Sequence, residues 1–351
     1  MTRGEYLAVA MSGGVDSSMA AARLISQGHR VVGVTMLRDR GRESLEMAEE
    51  ARRVASFLEI PHRVVELGNT FSRCVIEPFV DRYVQGLTPN PCVMCNPRLK
   101  FGALLGWCLC NGAWGMATGH YARVDRHPSS GEMRLLRGVD PDKDQSYALY
   151  RLRQAHLRRV RFPLGGLHKS QVRNMAKELG LPVAEKSESQ EICFVPGDYR
   201  SFIREAAGDR IREGPILDVS GREIGRHLGL AMYTVGQRRG LNIPRPGPHY
   251  VVRLDRERNA LVVGSREDLK AGGLLATALS WVRQKPHLPL RARVRIRYSS
   301  PFQDATIQPR GEDSVRVLFD RQVSAVAPGQ SAVFYRGPEV LGGGVITDAL
   351  K

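Results

Sequence analysis

Apolar and polar positions alternate in the first third of the chain as short strands followed by helices. Apolar or β-branched runs predict strands at residues 6–10, 30–36, 62–67 and 114–118. Apolar residues at helical spacing, often closed by Gly or Pro, predict helices at residues 18–27, 42–58, 71–84 and 101–110. Strands that alternate with helices are typical of a parallel, doubly wound α/β sheet.

The pattern changes beyond about residue 205. Gly, Pro and short β-type runs fill residues 214–264 and predict a small, mainly-β middle domain. From about residue 274 onward, alternating runs separated by Gly, Pro and Asp predict a β-barrel. A chain of 351 residues also exceeds the size at which single hydrophobic cores stop growing. We therefore predict three domains, at residues 1–204, 205–273 and 274–351.

The chain is strongly basic, with 52 Lys and Arg against 36 Asp and Glu and a formal net charge of +16. Such an excess predicts a polyanionic partner, usually nucleic acid, because neutralised phosphates release counterions. A basic surface that only reflects an Arg-rich composition is the alternative. Four arginines alternate along one predicted barrel strand and share a face: Arg291, Arg293, Arg295 and Arg297. They are typical either of phosphate binding or of a charged strand edge that faces solvent.

The composition, with 42% hydrophobic and 25% charged residues, is typical of a globular protein. No long apolar run interrupts the sequence, and its first five residues carry no signal-peptide pattern. We therefore expect a cytoplasmic protein without a membrane partner.

A Gly-rich turn from Ser12 to Ser17, Ser-Gly-Gly-Val-Asp-Ser, joins the first predicted strand to the first predicted helix. The free N–H groups of a helix N-terminus make this turn a candidate phosphate site, although an ordinary strand-to-helix turn is the alternative. It lacks the Lys-Ser/Thr pair of the Walker loop and the third Gly of the dinucleotide motif. Gly13 and Gly14 allow close approach of phosphates, and Asp16 is suited to holding Mg²⁺. The two serine hydroxyls can donate hydrogen bonds to phosphate oxygens.

Two further positions are expected near this turn. Ligands of open parallel sheets bind beyond the carboxyl ends of the strands. Met36 ends the second predicted strand and Gly119 follows the strand at 114–118, so both are candidates for an adenosine pocket. A core position is the alternative for Met36.

The sequence contains six cysteines, at positions 74, 92, 95, 108, 110 and 193. Two prolines extend the loop at 88–96, and a helix after it would place Cys95 near a positive N-terminus that lowers the pKa of its thiol. A zinc ribbon needs a second close pair, but Cys108 and Cys110 face different sides of a predicted helix. A disulfide framework is atypical of so long a chain without a signal segment. These patterns favour a reactive pair formed by one thiol of this loop and Cys193.

Six motifs occur in a fixed order along nearly the whole chain: SGGVDS at 12–17, TPNPCVMCN at 88–96, ATGHYAR at 117–123, DKDQSY at 142–147, SESQEICF at 187–194 and YTVGQRRGL at 233–241. Together they resemble the tRNA-specific 2-thiouridylase family. That family belongs to the ATP-pyrophosphatase (PP-loop) superfamily and replaces the C2 oxygen of the wobble uridine of certain tRNAs by sulfur.

The resemblance implies a set of site residues. ATP and Mg²⁺ would be bound at Ala10, Met11, Ser12, Gly13, Gly14, Val15, Asp16, Ser17, Met36 and Gly119. Cys95 corresponds to the nucleophilic cysteine and Cys193 to the cysteine that carries a persulfide. Contacts with the target base or the rest of the tRNA would come from Asn90, Pro91, Cys92, His120, Lys143, Asp144, Gln145, Arg297, Tyr298 and Gln330. The implied partners are the tRNAs for Lys, Glu and Gln and a sulfur donor such as a cysteine desulfurase or a sulfur-relay protein.

One departure from the family leaves the mechanism open. Many members carry Asp where this chain has Cys92. The resemblance therefore assigns no residue of this chain to the proton-transfer role of that carboxylate. In the persulfide route, ATP adenylates the uracil C2 oxygen, Cys193 delivers sulfur, and a Cys95–Cys193 disulfide closes. In the alternative, Cys92, Cys95 and Cys193 bind a [4Fe–4S] cluster whose open iron carries sulfide. An ATP-pyrophosphatase acting on a small substrate is the alternative class.

Overall fold

The computed structural model describes residues 5–187, 192–195, 197–241, 243 and 249–351. Positions 188–191 of the predicted motif at 187–194 lie outside the described residues. Among the described residues, no helix has both the length and the apolar composition that crossing a membrane requires.

The strands of the described residues are β1 Tyr6–Ala10, β2 Val31–Leu37, β3 His62–Glu66, β4 Ala113–Ala117, β5 Ala122–Arg126, β6 Met133–Arg137, β7 Val160–Arg161, β8 Gly214–Asp218, β9 Glu223–His227, β10 Tyr250–Asp255, β11 Ala260–Gly264, β12 Lys270–Trp281, β13 Leu290–Arg295, β14 Gln303–Pro309, β15 Ser314–Ser324, β16 Ser331–Arg336 and β17 Glu339–Leu350. The α-helices are α1 Val15–Ser26, α2 Arg42–Phe57, α3 Gly68–Phe71, α4 Glu77–Val84, α5 Pro91–Cys95, α6 Leu105–Cys110, α7 Ser146–Leu149, α8 Gln154–Leu157, α9 Lys169–Glu178 and α10 Tyr199–Ala207. Two π-helical turns, Ser72–Ile76 and Asn96–Leu104, join α3 to α4 and α5 to α6. Short 3₁₀ turns lie at Gly208–Arg210, Leu230–Met232 and Glu267–Leu269.

The N-terminal sheet has five parallel strands in the order β3-β2-β1-β4-β7. Its central strand β1 is buried because helices cover both faces of a parallel sheet. On one face, Leu24 of α1 and Ala51 and Val54 of α2 pack with Leu7 and Val9 of β1. The predicted doubly wound α/β sheet is confirmed.

The middle part forms a four-stranded sheet in the order β10-β11-β8-β9, in which only β11 and β8 run parallel. Its core joins Ile216 and Leu261 of this sheet to Phe79 of α4 and Ile203 of α10. The predicted mainly-β middle part is thereby confirmed, and it packs directly on the N-terminal helices.

The C-terminal part is a closed barrel of six strands, in the order β12-β15-β14-β13-β16-β17, with β17 pairing back to β12. This confirms the predicted barrel. The hairpin of β5 and β6 extends it, because Leu135 and Leu136 of β6 pair with Val340 and Glu339 of β17. The sequence patterns did not predict this hairpin. The boundaries at 204/205 and 273/274 stay a prediction.

Candidate active site

The Gly-rich turn leaves β1 and enters α1 at the carboxyl edge of the sheet. The Ser12 N–H donates to Ser17 Oγ at 3.1 Å, and Ser17 Oγ donates to the Gly14 carbonyl at 3.0 Å. Gly14 is the N-cap of α1 and has no side chain to cap the first amides. These amides therefore stay available to an anion at the positive end of α1.

Two glycines of the site are required by close packing. Gly13 has a φ of +64°, and a Cβ there would lie 2.9 Å from the carbonyl oxygen of Met47 in α2. A Cβ on Gly119 would lie 2.8 Å from the backbone nitrogen of Ser17. Gly119 thus lies directly against the start of α1, where the sequence placed it.

Asp16 is already paired with a lysine that the motifs did not identify. Lys169 Nζ, on the first residue of α9, donates to the two carboxylate oxygens of Asp16 at 2.6 and 2.8 Å. The Tyr121 hydroxyl donates to the same carboxylate at 2.8 Å. The backbone N–H of Lys169 donates in turn to Asp140 at 2.8 Å, which fixes the start of α9.

This pairing involves the same carboxylate that was predicted to bind Mg²⁺. Protein-bound Mg²⁺ is usually coordinated by one or two carboxylates. The Asp16 carboxylate instead accepts hydrogen bonds from Lys169 and Tyr121. No group of three His, Cys, Asp or Glu side chains suited to a metal ion occurs within the described ranges. The role of Asp16 as a Mg²⁺ ligand therefore stays a prediction.

The cysteine loop differs from its prediction in one respect. Asn90 Oδ1 accepts the Cys92 N–H at 3.1 Å and caps α5, but α5 continues through the π-helical turn into α6. Cys95 consequently lies inside a continuous helix, packed with Phe71 and Leu99, rather than at a free N-terminus. Burial raises the pKa of its thiol to about 11, so the prediction that a helix N-terminus lowers this pKa was wrong.

Lys100 and Arg38 oppose the effect of burial on Cys95. The positive charge of each lowers the pKa of the Cys95 thiol, and that of Lys100 also lowers the pKa of Cys92. Lys100 lies five residues after Cys95 along a π-helical turn, whose i to i+5 hydrogen bonding places such residues on one face. The ammonium group of Lys100 has no carboxylate partner among the described side chains.

The Cys193 side chain is exposed. Its position is fixed by a hydrogen bond to its backbone and by the packing of the next residue, Phe194. The Arg38 guanidinium donates to the Cys193 carbonyl oxygen. The Phe194 ring packs edge-on against Phe71, 5.4 Å between centroids, and against Phe79, 5.2 Å away. Negative charge on Cys193 raises the pKa of Cys92 and Cys95, so the three thiols occupy one region.

The described cysteines are all free thiols, so the Cys95–Cys193 disulfide stays a prediction. The three thiols share a region, but they do not form a group arranged to hold a metal within the described ranges. The cluster alternative for Cys92, Cys95 and Cys193 therefore stays a prediction, like the disulfide.

Met36 lies near the cysteine loop. It is the second-last residue of β2 and packs against the buried cluster that contains Phe71 and Cys95. Its partial burial fits the core alternative as well as a nucleotide pocket, so its contact with adenosine stays a prediction.

Two predicted tRNA contacts from the barrel lie against the cysteine loop. Gln330 Nε2 donates to the Thr88 carbonyl at 2.9 Å and so fixes the start of the loop. Burial raises the pKa of the Tyr298 phenol, and negative charge on Asp144 and Cys92 raises it further. Tyr298 therefore lies near Cys92, and it keeps 39% of its surface exposed.

Other predicted tRNA contacts are used inside the protein. The Asp144 carboxylate, with no exposed side-chain surface, accepts hydrogen bonds from Arg137 at 3.1 Å and Arg295 at 3.5 Å. Gln145 Oε1 accepts the Tyr121 N–H at 3.0 Å. Arg297 donates to the carbonyls of residues 235 and 325, and burial lowers its pKa. The Asp144 carboxylate has no surface with which to contact RNA.

His120 is a neutral aromatic neighbour of the site. Burial lowers its pKa well below the usual value, and the charge of Lys100 lowers it further. Its Nδ1 shares a hydrogen bond of 2.5 Å with the Thr118 hydroxyl, and its ring packs against Phe101 and Phe162. The tRNA contacts predicted for His120 and for the partly exposed Lys143 stay predictions.

The sequence reasoning missed four residues of this site: Arg38, Lys100, Tyr121 and Lys169. Lys100 and Tyr121 lie within or just after the recognised motifs, so their charge and hydroxyl were visible signals. Arg38 and Lys169 lie outside every motif, and only the fold brings Lys169 to Asp16 across 153 residues.

Three family models match consecutive parts of the chain. The family model described as tRNA methyl transferase HUP domain matches residues 5–197, the PRC-barrel domain model matches 200–265, and the Aminomethyltransferase beta-barrel domain model matches 271–346. A solved structure, U34-tRNA thiolase NcsA from Methanococcus maripaludis with its [4Fe-4S] cluster, shares 16% identity and a TM-score of 0.36, over 58% of this chain and 65% of that chain.

Two curated proteins are similar over almost their full length. The chain is 46% identical to tRNA-specific 2-thiouridylase MnmA of Carboxydothermus hydrogenoformans, with 97% of each chain covered. It is 47% identical to tRNA-specific 2-thiouridylase MnmA of Syntrophotalea carbinolica, with 98% of this chain and 99% of the other covered. The chain therefore belongs to the tRNA-specific 2-thiouridylase family.

Proposed function

We propose that the protein catalyses the ATP-dependent 2-thiolation of the wobble uridine of tRNA. One observation supports the proposal: the Gly-rich turn follows β1, and Arg38, which contacts the Cys193 backbone, follows the neighbouring strand β2. Gly119, after β4, packs on the turn, while Arg38, after β2, holds the backbone of Cys193. The tRNAs for Lys, Glu and Gln are the proposed substrates, and a cysteine desulfurase or sulfur-relay protein is the proposed donor.

The turn and the first amides of α1 serve the activation step. The C2 carbonyl of uracil is a poor electrophile without a leaving group. Its oxygen attacks the α-phosphorus of ATP, pyrophosphate leaves, and the C2 oxygen becomes part of an AMP leaving group. Backbone N–H groups at the N-terminus of α1 stabilise the phosphate charge that develops.

The thiols serve the transfer step. The outer sulfur of a persulfide on Cys193 attacks C2 and displaces AMP, which links C2 to Cys193 through two sulfurs. The thiolate of Cys95 attacks the inner sulfur, so 2-thiouridine leaves and a Cys95–Cys193 disulfide forms. An external dithiol then reduces this disulfide. The exposure of Cys193 suits its loading by a donor protein.

The test measures 2-thiouridine in unmodified tRNA after incubation with ATP, a cysteine desulfurase and cysteine. Cys193→Ser and Cys95→Ser are expected to yield no 2-thiouridine, whereas Cys110→Ser, on an exposed cysteine outside the site, keeps full activity. Equal release of AMP with and without tRNA, and no thiolated product, would favour an ATP-pyrophosphatase acting on a small substrate.

A further inference from the structure

A small cleft lies beside the cysteine loop, outside the Gly-rich turn. Three parts of the chain form its walls: α4 with Arg82, the loop with Asn90 and Pro91, and the barrel turn that contains Gly329. Arg151, just after α7, closes another side. The cleft thus lies where the N-terminal part and the barrel meet.

Two arginines of this cleft, Arg82 and Arg151, and the nearby Arg98 have no counter-charge. Burial lowers the pKa of Arg82, and the charges of Arg151 and Arg98 lower it further, so Arg82 is repelled by both of the other guanidinium groups. In the part of the chain that the structure describes, none of the three has a carboxylate within 4 Å. Arg151 finds only neutral acceptors, the Ala278 carbonyl at 3.4 Å and Met94 Sδ at 3.6 Å.

An anion would relieve this repulsion, and guanidinium groups match phosphate oxygens in geometry. The residues around the cleft favour a phosphate group of RNA as the bound anion. Asn90 and Pro91 form its wall and directly precede Cys92, so an anion bound here would lie next to the thiols. Gln330, which holds Thr88 of the same loop, follows Gly329 on the opposite wall.

We propose that Arg82, Arg98 and Arg151 bind a backbone phosphate of the RNA beside the base that enters the cysteine site. This assignment rests on the proposed thiolation of tRNA and adds to it a position for the strand. The phosphate contact holds the backbone at the mouth of the cleft while the unstacked base reaches the thiols. The three arginines position the substrate and do not take part in the chemistry.

The test measures tRNA affinity of the full chain without ATP, over about 50 to 200 mM salt. Arg82→Gln, Arg98→Gln and Arg151→Gln are each expected to weaken binding and to make the slope of log K against log salt shallower. Because the three arginines share one phosphate, the change in slope is at most about 0.7 to 0.9 in any of these variants. Arg316→Gln, on an exposed face of β15, is the matched control and keeps the wild-type slope. Arg82→Lys restores the charge and is expected to recover most of the slope.

An unchanged slope in Arg98→Gln would overturn the assignment, because that side chain is exposed and its loss leaves the fold intact. A fall in ATP affinity with no change in tRNA affinity would also overturn it, since the anion would then be a nucleotide phosphate. Thiolation by the wild-type protein is measured separately. If that activity is absent while the slopes change, the proposed function fails and the phosphate site stands.

Discussion

At the scale of single residues, the structure corrects the chemistry expected for Cys95. Burial beside Phe71 and Leu99 favours the neutral thiol, whereas Lys100 and Arg38 favour the thiolate. Burial has the larger effect, because the pKa stays at about 11. Near neutral pH Cys95 is therefore held predominantly as the protonated thiol.

This raised pKa predicts how Cys95 reacts with alkylating reagents. Only the thiolate reacts, so the alkylation rate of Cys95 is expected to rise about tenfold per pH unit from pH 7 to pH 10. Peptide mass spectrometry after timed exposure to iodoacetamide measures the rate at each pH. A plateau above pH 8.5, the ordinary range of a thiol, would contradict the effect of burial.

Lys100 is expected to tune the same thiol. Removing its charge by Lys100→Gln raises the pKa of Cys95 further, so the alkylation profile moves to higher pH and 2-thiouridine formation slows. The pKa of His120 rises in the same variant, because Lys100 lowers it in the wild type. An NMR titration of the His120 imidazole measures this change in its pKa. Lys285→Gln, on an exposed lysine, is the control and leaves both profiles unchanged.

At the scale of elements, the ion pair between Asp16 and Lys169 ties the nucleotide turn to the start of α9. Asp16→Asn removes one charged partner of the largely buried ammonium of Lys169. Because a third of the Asp16 side chain is exposed, we expect a loss of about 1 to 3 kcal/mol in unfolding free energy, below the cost for a fully buried pair. Urea unfolding of the variant and the wild type measures this loss of unfolding free energy.

The same variant separates activation from binding of the RNA. Asp16→Asn is expected to abolish thiolation, because the turn that holds the phosphates is altered, while tRNA affinity stays within about twofold of the wild type. A loss of tRNA binding with thiolation retained would contradict the assigned place of the turn in the reaction.

Local elements were predictable, and contacts between distant elements were not. The strand, turn and helix from Tyr6 to Ser26 follow from apolar periodicity and two glycines, which act over a few residues. The position of Cys95 depended on whether α5 ends or continues, and the π-helical turn Asn96–Leu104 that continues it has no simple sequence signal. The predicted helix N-terminus was therefore placed at the wrong residue.

At the scale of the whole molecule, the sheet and the barrel share a hydrophobic core. Tyr6 and Val32 of the sheet belong to the same buried cluster as Val333 and Tyr335 of the barrel. The hairpin of β5 and β6 adds a second connection. Neither was predictable, because pairing across some 200 residues depends on tertiary packing rather than on local pattern.

Asp144 is the polar part of this connection. It links Arg137 at the end of β6 to Arg295 at the end of β13, and its carboxylate has no exposed surface. Asp144→Ala leaves two poorly exposed guanidinium groups unpaired, so we expect a loss of about 3 to 5 kcal/mol in unfolding free energy. Asp142→Ala, at an exposed neighbour, is expected to change it by less than about 0.5 kcal/mol. Equal stability of both variants would contradict the connecting role of Asp144.

The central claim is that sulfur passes from Cys193 to the wobble uridine while Cys95 closes a disulfide. The most direct measurement loads Cys193 with a radiolabelled persulfide, removes the donor and adds ATP and tRNA for a single turnover. We expect one labelled 2-thiouridine for each Cys95–Cys193 disulfide detected by peptide mapping, and no transfer without ATP. Labelled product without that disulfide, or from the Cys193→Ser protein, would contradict the account.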